Sequence, residues 1–91
     1  TKTKNPRNDT QDETAQETWV THDMNCAAAL LCAGFELLSV DKENPRKALF
    51  VFKRINGIDD VVNLYWLDDL DVRARMFADT IKALKNRLYS E

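Results

Sequence analysis

Two carboxylate clusters, one histidine, two cysteines and a short run of bases are the residues of this 91-residue chain whose types could do chemistry. The acids are Asp59-Asp60 and Asp68-Asp69-Leu70-Asp71. A metal-dependent nuclease would need such acids to converge at one dry site beside a Lys or His. Here they flank apolar-periodic segments, where capping and solubility account for them. His22 beside Asp23 has the composition of an acid–base pair, but nothing holds a Ser or Cys nucleophile against it, and a polar residue at a helix start explains it. Cys26 and Cys32 are six apart in a helical pattern, about 240° around the axis, so they neither pair nor share a metal from that helix. With His22 as the one further soft ligand, a zinc site is short of donors, and the thiols read as small apolar core residues. Gly34 and Gly57 stand singly, so no glycine loop cradles a phosphate. The expectation is a non-enzymatic protein with no catalytic residues, no metal ligands and no cofactor.

Binding is the route to function that remains. Lys42, Arg46, Lys47, Lys53 and Arg54 fall close together, with Asp41 and Glu43 the acids among them, and Arg73 and Arg75 open the last apolar-periodic segment. Read as helical, Arg73 and Arg75 splay about 200° apart, so at most one joins a shared patch. If the hairpin end lies beside that helix start, Lys53, Arg54 and Arg73 could hold phosphate, with Tyr65 or Trp66 as a stacking surface. The competing expectation is a solvated charged rim.

These residues need elements to position them. Thr18–Thr21 (TWVT) is β-branched and aromatic, hence a short strand. A helix over 23–33 follows, with Thr21 or Asp23 as the cap, Met24, Ala27, Ala28 and Leu31 at helical spacing, and Gly34 as the stop. From Phe35 the period turns strand-like: FELLSV and KALFVFK, joined by the polar turn DKENPR, form a hairpin over 35–52. In its second arm Ala48, Phe50 and Phe52 alternate with Leu49 and Val51, so both faces are apolar, as in a strand that is central or meets another subunit.

Asn56-Gly57 admits two continuations. It can be a hairpin turn into a strand VVNLYW, or Gly57 can end the strand and Asp59-Asp60 open a helix over 58–67, where acids suit the positive end of the dipole. Ile58, Val61, Val62 and Tyr65 at helical spacing favour the helix. A last helix over 71–89 has Asp71 as its cap and Ala74, Phe77, Ile81, Leu84 and Leu88 on one face. The class is α+β: a three-stranded antiparallel sheet in the order strand-helix-strand-strand-helix-helix, packed with three helices.

Residues 1–17 hold one apolar residue, Ala15, and read as a disordered polar arm, leaving 18–91 as one compact domain. A fold of that size covers only about 60% of its unfolded surface, which favours self-association through the Leu49/Val51 face or the small-residue face of Cys26–Ala33. The 13 basic and 15 acidic residues make no global field toward nucleic acid or anionic lipid. The longest uncharged apolar run, Cys26–Phe35, is too short for the roughly 20 residues of a membrane span. A polar, acidic start is unlike a secretory signal, so a cytoplasmic protein is expected.

The stretches WVTHDMNCAAALLCAGFELLSVD, KALFVFK and YWLDDLDVRARMFADTIKALKNRLYS together resemble a domain-of-unknown-function family of short bacteriophage and bacterial proteins, over roughly Trp19 to Ser90. The resemblance implies the helical form of 58–67, and a host-cytoplasmic setting for a phage-encoded member; it brings no established activity. Cys26 departs from the larger apolar residue such as Leu expected there, which bears on core packing alone.

Two functions follow as expectations. One is a small homo-oligomeric interaction protein, a phage accessory type, that covers a partner protein. The other is a nucleic-acid or nucleotide binder, including one that sequesters a nucleotide signal, using the basic hairpin. The near balance of 10 basic and 11 acidic residues over 18–91 favours the first.

Overall fold

The computed structural model describes residues 17–90. Its elements run β1 (Thr18–Thr21), α1 (Met24–Cys32), β2 (Leu37–Asp41), a 3-10 turn (Pro45–Lys47), β3 (Leu49–Lys53), α2 (Ile58–Trp66) and α3 (Ala74–Tyr89). The three strands form one antiparallel sheet ordered β1-β3-β2, so β3 is central, as its two apolar faces require. The expected α+β class and element order stand, with 58–66 helical and not a fourth strand. The disordered-arm expectation lies outside the described residues except at Glu17, whose carbonyl accepts from the Arg54 N–H at 2.6 Å.

Helix α1 is buried nearly all round: Cys26, Ala27, Ala28, Ala29 and Leu30 are each almost inaccessible. The single stripe expected from Met24, Ala27, Ala28 and Leu31 is therefore too narrow, because α1 packs against β1, α2 and α3 together. Its alanines let those neighbours approach closely. The same burial removes the Cys26–Ala33 face as a subunit seam. At its start Asp23 Oδ1 accepts from the Cys26 N–H at 2.8 Å, and Thr21 Oγ1 accepts from the Asp23 N–H, so both expected capping residues are used. At its end Gly34 has φ +99°, its N–H bonded to the Leu31 carbonyl and that of Phe35 to the Leu30 carbonyl, which is a Schellman termination.

The core joins α1 to Phe50 and Phe52 of β3, Ile58 of α2 and Leu84 of α3. Phe77, Ile81 and Leu88 extend the inner face of α3, while Ala74 is exposed. Helix α3 begins later than expected: Arg73 is its N-terminal flank, with no side-chain cap, and Asp71 lies in the irregular segment before it. Helix α2 ends with Asp68 in the left-handed region at φ +62°, and the N–H groups of Asp68 and Asp69 return to the Tyr65 and Leu64 carbonyls. Asp68 thus repeats with an L residue the termination that Gly34 provides for α1.

Candidate functional site

The five residues expected to form a ligand surface fall on three places in the fold: Lys53 and Arg54 at the end of β3, Tyr65 and Trp66 at the end of α2, and Arg73 before α3. Arg54 Nη1 donates to Asp59 Oδ2 at 2.9 Å across an exposed surface, tying the end of β3 to the first turn of α2. Trp66 is at the other end of α2, seven residues from Asp59, roughly 10 Å along the axis. It is 60% exposed and meets Tyr65 edge to face, with centroids 4.9 Å apart. Tyr65 packs against the core; burial, and then the charge of Asp23 and the Cys26 thiol, raise its pKa. Lys53, at the end of the central strand, borders a hollow with Thr18, Glu36 and Leu38. Lys42 is drawn off the basic hairpin, because its Nζ donates to the Arg87 and Ser90 carbonyls at the end of α3, at 3.2 and 3.0 Å.

Arg73 belongs to a different surface. An open groove of about 970 Å³ runs along α3 beside the end of α1 and the start of β2. Leu31, Phe35 and Leu37 on one side and Met76 and Ala83 on the other give it an apolar lining. Arg73 and Arg75 stand at one end and Arg87 at the other, with Glu36 and Asp79 also on its walls. The expectation that Arg73 and Arg75 diverge assumed helical backbone at both; Arg73 is extended, with ψ 126°, and both line the groove. Arg75 faces Asp79 at 4.0 Å and is almost wholly exposed, so that pair is weak. Glu36 also borders the Lys53 hollow, so the two basic sites lie on either side of one acid. The groove's walls come from three elements distant in sequence; its one local signal is Met76, Ala83 and Arg87, about 100° around α3 from Phe77, Ile81 and Leu84, the last of which also borders the groove.

A second surface is the outer face of the sheet. Register places Val20 beside Val51, and Ser39 and Asp41 beside Val51 and Leu49, on the side away from Phe50 and Phe52. The β2 ladder is irregular between Leu37 and Ser39, which sets Leu38 out as an extra residue. Val20 and Leu38 are 46% and 45% exposed, and none of Val20, Leu38, Leu49 and Val51 takes part in the core.

His22 and the two cysteines are held within the fold. The Nδ1–H tautomer of His22 donates to the Ala48 carbonyl at 3.2 Å. Cys26 is buried, and its pKa is raised to about 11, first by burial and then by the charge of Asp23. Cys32, half-buried, directs its thiol to Thr80 Oγ1 at 3.8 Å. Among the described residues no three His, Cys, Asp or Glu side chains are grouped to hold a metal ion, and no helix is long and apolar enough to cross a membrane. The sequence matches, over residues 16–90, the family described as Domain of unknown function (DUF5659). No curated protein and no solved structure matches the chain.

Proposed function

We propose that this chain, which belongs to the DUF5659 family of domains of unknown function, is a non-enzymatic interaction protein that pairs with a second copy through the outer face of its sheet and binds a partner protein. The observation that carries this is β3: a central strand with Phe50 and Phe52 in the core and Leu49 and Val51 on a face that no helix among the described residues covers. In an antiparallel sheet with one wet face, that side of the strand is ordinarily polar. Lys53 and Asp41 stand toward opposite ends of the same face, so a two-fold axis near Val51 brings the Lys53 end of one copy over the Asp41 end of the other. A phage accessory protein acting in the host cytoplasm fits this reading. The nucleotide alternative is weakened by the engagement of Lys42 with α3 and of Arg54 with Asp59. Sedimentation equilibrium tests the pairing: a mass near twice 10.5 kDa is expected, and 10.5 kDa throughout the micromolar range would overturn it.

A further inference from the structure

The geometry points to the groove along α3 as the seat of an amphipathic helix from a partner protein, apolar on its inward face and acidic near both ends. This rests on the reading of the chain as a partner-binding protein, and it names the surface and the chemistry of the partner. Three features set the occupant. The α3 wall runs from Met76 through Thr80 and Ala83 to Arg87, with Asp79 and Leu84 beside that line, so the groove follows one side of the helix for about 16 Å, met from α1 by the Cys32 thiol at Thr80 Oγ1. Thr80 and Ala83, in the middle of that face, are small enough for another helix to approach, while Leu31, Phe35 and Leu37 across the groove supply the opposite wall. Such a trough suits the helix-in-groove mode, in which apolar residues at i, i+3, i+4 and i+7 serve as anchors. The groove's openness and length suit a segment of a macromolecule better than a small molecule, which pockets ordinarily enclose.

Charge sets the sign of the partner. Arg73 and Arg87 have no side-chain partner among the described residues, and they stand at the two ends of the groove. Asp79 has the exposed Arg75 at 4.0 Å, and Glu36 is the other acid, so the lining carries three guanidinium groups against two carboxylates. Carboxylates near each end of the incoming helix would therefore meet a guanidinium, which can bind them in a fork. A basic helix would meet two unpaired arginines.

The test uses the full chain and a fluorescein-labelled helical peptide of about 15 residues, roughly 22 Å long, with leucines at the anchor spacing and glutamates at both ends. A second peptide carries lysine at every glutamate position. Anisotropy should show the acidic peptide held and the basic one not. Arg73→Glu with Arg87→Glu, at exposed positions that leave the core untouched, should weaken the acidic peptide by roughly tenfold or more and make the basic peptide preferred. Ala83→Trp should abolish binding of the acidic peptide by filling the groove. Absence of binding, equal binding of the two peptides, or indifference to the double arginine change would overturn the inference. So would a single-stranded oligonucleotide competing at Arg73 and Arg87, which would make the groove an anion site. Sedimentation of the same samples reads the sheet-face pairing separately, so failure in the groove and failure of the dimer are told apart.

Discussion

Among the described residues three have positive φ, and only one of them carries a Cβ. Gly34 and Gly57, at φ +99° and +95°, have nothing within 4 Å of where a Cβ would stand, so a substitution there meets backbone strain alone. Gly34→Ala should destabilise by about 1 kcal/mol, the cost of holding an L residue in the left-handed region. Asp68, at φ +62°, already bears that cost. Asp68→Gly should therefore stabilise, by about 0.5 kcal/mol because glycine also gains freedom in the unfolded chain. Urea denaturation with an unchanged slope measures both; Asp68→Gly leaving the midpoint in place would disprove the strain. Cys26 gives the pH counterpart. Its thiol stays protonated in the fold up to about 11 against an ordinary value of 9.0, so the unfolded chain releases its proton first. Stability is then full below pH 9 and lost as pH rises from 9 toward 11. Tyr65, raised for the same reason, acts in the same direction, so the cysteine's share is the part of the slope that disappears in Cys26→Ala.

At the scale of elements, one side chain closes the longest helix. Lys42 Nζ reaches the Arg87 and Ser90 carbonyls from the loop after β2, placing a cation at the negative end of α3 and linking it to the hairpin. Lys42→Ala should cost about 0.5–1 kcal/mol and speed amide exchange in the last turn of α3, leaving α1 unchanged. Arg54→Ala, which removes an exposed pair with Asp59, should cost less than about 1 kcal/mol. These two cases show what was legible in the sequence. The switch of period at Gly34, the hairpin and the acidic start of α2 are local patterns, and each stands in the fold. Asp71 is a good capping residue by type, but the helix begins only after Arg73, which is extended. Lys42 looked like part of a basic patch because nothing local brings the end of α3 to the hairpin loop. The groove escaped for the same reason: Leu31, Leu37 and Arg87 become neighbours only when α1, β2 and α3 are packed together.

For the molecule as a whole, the decisive question is what meets the outer face of the sheet. Phe50→Ala, on the inner face, should cost about 3–5 kcal/mol whatever the oligomeric state, since it empties a fully buried site. Val51→Glu, one residue away on the outer face, separates the alternatives. If that face is wet, a half-exposed valine becoming glutamate changes little: the mass stays at one chain, and the small shift in melting temperature does not depend on concentration. If the face is a two-fold interface, the axis near Val51 sets two glutamates against each other among Val20, Leu38 and Leu49. The dimer then falls to a monomer of 10.5 kDa, while circular dichroism at low temperature still reports the fold. A dimer also ties stability to protein concentration, because association binds only the folded chain. The unaltered protein should lose several degrees of melting temperature over a hundredfold dilution, and Val51→Glu should show no such dependence. A concentration-independent melting temperature in the unaltered protein would leave Leu49 and Val51 as apolar residues facing water, and the proposed pairing would fall.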